Sequence, residues 1–183
     1  MTRTLTIALL LLAFAAPATV VVNETLEEMT HKVPLIVRGH VNRNVAGWDA
    51  EHRRIWTWTE LTVTETIKGK ADGVVLFKQP GGETGGIGQA VAGTAKFKEG
   101  EDCVVLLFPA PDEPGVWRVY SLAAGKISLV PQAGQLVAQR DLSGLGFASP
   151  QTGKVVPVDG SARLGTADEF LGQLRAWAKG GAK

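Results

Sequence analysis

The chain has 183 residues, 45% of them apolar, with 19 Lys and Arg against 18 Asp and Glu. A balance this close to zero lacks the broad positive potential that nucleic acid or an anionic membrane surface demands, so neither is expected as a partner. The single cysteine, Cys103, excludes an intramolecular disulfide and leaves stability to packing.

At the N-terminus, Arg3 precedes an uncharged apolar run, Leu5 to Ala16, which ends in Ala16-Pro17-Ala18. The positive start, the short apolar core and the small-residue site describe a secretory signal peptide over residues 1–18, with cleavage expected after Ala18. A soluble helix would show a polar face, and this run has none. Residues 19–183 then form one domain with 18 basic and 18 acidic side chains. No cysteine follows the apolar run to take a lipid anchor. The expected product is soluble, secreted to a periplasm or the exterior, and not embedded in a membrane.

Thr25-Leu26-Glu27-Glu28 matches a capping box and starts a short helix that Pro34 closes. Leu35 to Val41 reads as a strand interrupted by Gly39. Between this strand and the next lies a polar loop, Trp48-Asp49-Ala50-Glu51-His52-Arg53-Arg54. Aromatic rings beside arginines and carboxylates suit an interface, which makes Trp48, Asp49, Arg53 and Arg54 candidate binding residues. Trp48, Trp56 and Trp58 equally suit a core or a clamp at a barrel mouth.

Arg54 to Ile67 is the longest strand candidate. Trp56 and Trp58 fall on its even face and Leu61, Val63 and Ile67 on its odd face, so a bulge or bend is expected near Thr59 and Glu60. A polar turn, Lys68 to Gly73, leads to a strand over Val74 to Lys78.

Gln79 to Gly93, QPGGETGGIGQAVAG, is the most unusual segment. Val91 stands where a dinucleotide loop needs its third glycine, and no lysine between Lys78 and Lys96 completes a phosphate-binding loop. A chymotrypsin-like nucleophile motif fails too, because Thr84 stands in the serine position and the upstream chain is too short for a first barrel. What is left is a shaped loop anchored by Ile87 and Val91, with Glu83 and Gln89 as candidate binding groups.

Short strands are expected at Val104–Phe108, Val116–Leu122, Lys126–Val130 and Gln135–Gln139, and a long surface loop from Leu142 to Leu164. Acidic neighbours and an apolar run make Cys103 a buried thiol rather than a reactive one. A second capping box, Thr166-Ala167-Asp168-Glu169, opens a C-terminal amphipathic helix over about 167–179. His31, His40 and His52 show no metal-ligand spacing, and only convergence with Asp49 or Glu51 would make a site, so neither metal nor cofactor is expected.

Ile55-Trp56-Thr57-Trp58-Thr59, Glu65-Thr66-Ile67-Lys68-Gly69, Gln79-Pro80-Gly81-Gly82-Glu83 through Gly93, and Gly100-Glu101 before an apolar strand resemble a family of uncharacterised secreted bacterial proteins. The likeness spans roughly Leu26 to Val130. The order of strand, Lys-Gly turn, strand, loop, Gly-Glu and strand is similar, in architecture only, to the OB-like barrels of the tissue inhibitor of metalloproteinase and netrin-module group. That group's inhibitors act through a disulfide-locked N-terminal cysteine, which the chain from Thr19 lacks.

The sequence therefore implies a mainly β domain, a small antiparallel OB-like barrel or a sandwich, with a short N-terminal helix and a C-terminal amphipathic helix. Its expected role is a non-catalytic binding module for a protein or cell-envelope partner. The alternative is a small secreted hydrolase that pairs a carboxylate such as Glu83 with His40 or His52.

Overall fold

The computed structural model describes residues 19–158 and 160–180, and the expected signal peptide lies outside them. The elements in order are β1 (Thr19–Val22), α1 (Leu26–Lys32), β2 (Leu35–Trp48), β3 (Ile55–Lys68), β4 (Val74–Pro80), β5 (Gly82–Thr84), β6 (Ile87–Gln89), β7 (Asp102–Pro109), β8 (Trp117–Val119), β9 (Lys126–Gln132), β10 (Gln135–Asp141), β11 (Leu145–Ala148), β12 (Val155–Val158), β13 (Ser161–Thr166) and α2 (Ala167–Gly180). The fold is mainly β.

Eight strands form one sheet in the order β13-β10-β9-β7-β2-β3-β4-β8, and β8 also pairs with β7. That last pairing closes β7, β2, β3, β4 and β8 into a five-stranded ring. β9, β10 and β13 continue outward from β7 as an open wing. A separate three-stranded sheet, β1-β11-β12, packs over the wing.

β7 explains how one run of sequence serves two cores. Cys103, Val105 and Leu107 point into the ring with Leu35, Val37, Leu61 and Phe77. Val104 and Leu106 point outward into a second core with Ile36, Ile127, Leu129, Ala138 and the helix residues Met29, Phe170, Leu171 and Leu174. A strand buried on both faces shows no polar alternation, which is why Asp102-Cys103-Val104-Val105-Leu106-Leu107-Phe108 reads as a continuous apolar run. Each fully buried Leu, Ile or Phe contributes about 1.5–3 kcal/mol of transfer free energy.

Both capping boxes are formed. Thr25 Oγ1 accepts from Glu28 N–H at 3.2 Å while the Glu28 carboxylate accepts from Thr25 N–H at 2.7 Å. Thr166 and Glu169 repeat the exchange at 3.3 and 3.1 Å. Arg175 on α2 ties the helix to β3 through both Glu65 carboxylate oxygens, at 2.6 and 2.8 Å.

Three sequence expectations change. The buried face of β3 does not switch at Thr59 and Glu60: Ile55, Thr59 and Leu61 on the odd face are all buried. Trp56 is buried on the opposite face because other side chains fold over it; a bulge does fall near Glu60, but on the partner strand, where the β2 register shift at Val41/Arg43 lies opposite Leu61 and Glu60, with further shifts at Ile36/Val37 and Arg38/Gly39. The expected loop from Leu142 to Leu164 contains β11, β12 and most of β13, and β2 runs on to Trp48. Gly39 lies at one of these shifts, where β2 and β3 approach so closely that a Cβ would stand 2.1 Å from the Thr62 carbonyl oxygen.

The Cys103 thiol is fully buried, and burial, reinforced by Glu101, pushes its pKa up to about 12. Native protein is therefore expected to resist alkylation by iodoacetamide at pH 8, and urea-unfolded protein to react fully. Stoichiometric labelling of the folded chain, read by mass spectrometry, would contradict the buried placement.

Candidate functional site

The half of β2 beyond Val41 leaves β7 and continues as the outer strand of a three-stranded arm, with β3 in the middle and β4 on its far side. The glycine-rich segment lies against the inner face of this arm. Gly81 N–H donates to Ile55 O at 2.8 Å, Ile55 N–H donates to Gln89 Oε1 at 2.7 Å, and Thr57 Oγ1 donates to Gly81 O at 2.7 Å. Gly82 sits at φ +134°, and a Cβ there would meet Thr57 Oγ1 at 2.5 Å and Ala46 Cβ at 2.8 Å. The glycines therefore allow backbone to lie on the arm, and Gln89 works as an internal anchor. Glu83 is exposed on the short β5–β6 ribbon.

At the arm's tip, Asp49 Oδ1 accepts from Arg53 N–H at 2.7 Å, and this bond holds the Asp49 carboxyl below its ordinary range. His52 takes φ +54° to close the turn and stacks on Trp48 with ring centroids 6.3 Å apart. Arg53 and Arg54 are exposed, and Arg53 comes within 3.5 Å of Glu51. The two candidate loops thus share a base at Ile55. Asp49 and Gln89 are engaged in holding that base, whereas Arg53, Arg54 and Glu83 face solvent.

Beside the arm opens a cleft of about 1130 Å³. Its floor is the wing face opposite the outer core, where Ser128, Val130, Gln139, Asp141 and Ser161 present mostly small polar groups. Its wall is residues 90–98, an irregular stretch outside any strand that turns at Ala92 and Gly93. This wall is held by its carbonyl oxygens: Ala92 O accepts from Thr19 Oγ1 at 2.5 Å, Gly93 O from Ala123 N–H at 2.9 Å and Phe97 O from Asn44 Nδ2 at 3.2 Å. Ala95 O and Lys96 O accept from Gln79 Nε2 and Lys126 Nζ. The N–H groups of Ala92, Gly93, Ala95, Lys96 and Phe97 donate to no described residue. Backbone donors along one wall, with amides and hydroxyls on the floor, suit a polar ligand with several acceptor oxygens.

The cleft is lined by three lysines, Lys96, Lys98 and Lys126, against two carboxylates, Glu101 and Asp141. Lys126, nearly buried, reaches Glu101 at 2.6 Å and lies 4.6 Å over the Phe97 ring. Hydrogen bonds from Ser143 hold the Asp141 carboxyl low, and Lys96 and Lys126 add to the effect. Gln79 Oε1, next to the wall, is buried with no hydrogen-bond partner among the described residues.

A second polar cluster, not apparent from the sequence, covers the outer face of the ring. Trp58, Lys78 and Arg118 fall side by side on β3, β4 and β8. Lys78 Nζ lies 4.7 Å from the Trp56 ring centroid, and Arg118 stacks on the same ring at 4.6 Å. The β7–β8 loop closes over them, with Asp112 and Glu113 bonding Lys78 at 2.9 and 2.8 Å. The signal was present as two tryptophans at i, i+2 and an acidic Pro-Asp-Glu-Pro turn. Only the strand register joins them.

His40 is exposed on β2, opposite Thr62 and Asp102. It lies six residues from Ala46, beside which Gly82 packs, a separation along the strand of about 20 Å. Neither His40 nor His52 is brought to Glu83 by these pairings. Among the described residues no three His, Cys, Asp or Glu side chains are grouped to hold a metal ion, and no helix is long and apolar enough to cross a membrane. No family model matches the chain, and no curated protein is similar to it.

Proposed function

We propose that this protein is an exported, non-catalytic binding module that holds a protein or cell-envelope component in the cleft between residues 90–98 and the β9–β10–β13 wing. The observation that carries this reading is the wall itself, which is fixed through its carbonyl oxygens while the N–H groups of Ala92, Gly93, Ala95, Lys96 and Phe97 donate to no described residue. Arg53, Arg54, Trp48 and Glu83, on the neighbouring loops, extend the contact surface beyond the cleft. The likeness to OB-like barrels supports architecture alone.

Ser128→Trp fills the floor from a half-exposed strand position opposite Cys103, so its fold is checked by circular dichroism and melting temperature before binding is read. The native chain immobilised as bait is expected to retain a component of culture medium or envelope extract that the Ser128→Trp chain loses at least tenfold. Unchanged retention by a folded Ser128→Trp protein rejects the cleft. The hydrolase reading makes a different demand: an activity on envelope extract that disappears in Glu83→Ala and His52→Ala, with circular dichroism unchanged, would replace the binding module with an enzyme.

A further inference from the structure

We infer that the cleft takes an anionic glycan, a polyhydroxyl chain bearing carboxylate or phosphate groups, and not a peptide, an inference that rests on the cleft being the binding site. The wall decides between the two. Seven of the eight carbonyl oxygens from Val91 to Lys98 are taken within the fold. Val91 O accepts from Thr94 Oγ1 at 2.8 Å and Lys98 O from Glu101 N–H at 3.1 Å. Ala92, Gly93 and Phe97 O accept from Thr19, Ala123 and Asn44, and Ala95 and Lys96 O from Gln79 and Lys126. The N–H groups of Ala92, Gly93, Ala95, Lys96 and Phe97, residues that all line the cleft, donate to no described residue. A peptide main chain carries one N–H for each C=O, so along this wall its donors would face oxygens already engaged. Ionised carboxylate oxygens only accept, and phosphate oxygens accept strongly, which matches a wall whose free backbone groups are donors.

Charge has the same sense. Both carboxylates of the cleft are committed to internal donors: Glu101 takes Lys126 Nζ at 2.6 Å and Lys98 N–H at 3.0 Å, and Asp141 takes Ser143 N–H at 3.0 Å. Lys96 and Lys98 are exposed on the wall and form no ion pair among the described residues. Two cations beside a row of backbone donors favour an oxyanion over a neutral sugar, because charge-assisted hydrogen bonds are the stronger ones.

The floor asks for hydroxyl groups. The side chains of Ser128, Gln139 and Ser161 bond to no described residue, and each can both give and take a hydrogen bond, as a sugar hydroxyl does. The one aromatic ring lining the cleft, Phe97, packs with its centroid 4.8 Å from that of Phe77 and lies under Lys126. Ligands that bind by stacking, single-stranded nucleic acid among them, therefore lack a row of platforms here. At about 1130 Å³ the cleft exceeds the roughly 300–1,000 Å³ of an ordinary small-molecule pocket, which leaves room for several linked units.

The test titrates the purified chain with four probes: trigalacturonate for the carboxylate form, a glycerol phosphate trimer for the phosphodiester form, maltotriose as the neutral glycan and blocked triglutamate as the acidic peptide. At least one of the first two is expected to bind at least tenfold more tightly than maltotriose and triglutamate, and the tighter of them names the oxyanion. Bound oligomer is expected to slow amide hydrogen exchange at least fivefold at Ala92, Gly93, Ala95, Lys96 and Phe97. Thr94 and Lys98, whose N–H groups are already bonded within the fold, should change little. Lys96→Gln combined with Lys98→Gln alters two exposed side chains and should weaken binding at least fivefold without shifting the melting temperature. Triglutamate binding as tightly as the anionic glycans, no preference over maltotriose, or protection at none of the five N–H groups overturns the proposal. If Ser128→Trp loses the retained envelope component while neither anionic oligomer binds the native chain, the cleft stands and the glycan falls. Oligomer binding that survives in folded Ser128→Trp places the ligand elsewhere, and both readings fall.

Discussion

Gly39→Ala is expected to destabilise the chain by about 3 kcal/mol or more, lowering the melting temperature by roughly 6–12 °C for a domain of this size. A Cβ at position 39 would lie 2.1 Å from the Thr62 oxygen and 2.9 Å from its carbonyl carbon, well inside contact. Both neighbours are held. Gly39 lies between Val63 on β3 and Cys103 on β7, so β2 cannot retreat from one strand without moving into the other. The extra methyl therefore pulls apart a ladder of the closed ring, a backbone strain that no side-chain rotation relieves. Gly172→Ala is the matched control, because nothing lies within 4 Å of its would-be Cβ and it sits inside α2. There the same methyl is expected to stabilise by about 0.5–1 kcal/mol. Equal melting temperatures for Gly39→Ala and the native chain would show that β2 and β3 do not approach as described.

What the sequence reveals and what it hides follow from the range of the forces involved. The two capping boxes act within four residues, so Thr25, Glu28, Thr166 and Glu169 announce their helices locally. β3, β4 and β9 were readable because branched and aromatic residues crowd each of them, and Gly39 was visible as an interruption though its reason was not. β1, β11 and β12 were hidden because each needs partners far along the chain: β1 is a strand only when Leu145 to Ala148 lie beside it, and β12 contains a proline that argues against a strand taken alone. The misplaced phase change in β3 has a similar cause. Trp56 and Trp58 look like a second buried face, but they are covered by Lys78, Arg118 and the Asp112–Glu113 turn, which arrive from β4 and β8. The cleft had no linear signature at all. Its floor and wall come from segments more than thirty residues apart, Ser128 and Gln139 against Ala92 and Lys96, and its clamps pair a side chain with a carbonyl oxygen, which any residue carries.

The covered tryptophans set the second large expectation: Lys78→Ala should cost about 2–4 kcal/mol and free the β7–β8 loop. Lys78 is only 4% exposed, so its stem fills space between Trp56 and Trp58, and truncation leaves a cavity as well as removing the ammonium group. Lys78→Met keeps the stem and removes the charge. Its cost should be smaller, about 1 kcal/mol, because Asp112 and Glu113 are 47% and 37% exposed and retain Arg118 and the Trp58 indole N–H as partners. The same cluster gives a pH signature. The hydrogen bond from Lys78, aided by Arg118, holds the Asp112 carboxyl below its ordinary value. A carboxyl whose folded pKa is depressed stabilises the fold above its unfolded pKa, about 4, and that contribution is lost as pH falls through the lower folded value. Native protein should therefore release the loop in acid, with a change in tryptophan fluorescence below about pH 4 that Lys78→Met largely lacks at that midpoint. Urea unfolding of Lys78→Met, Asp112→Asn and the double variant at pH 7 isolates the pair. A coupling near zero, with the acid fluorescence change intact in Lys78→Met, would mean that the loop is held by Trp58 and the prolines rather than by the buried lysine.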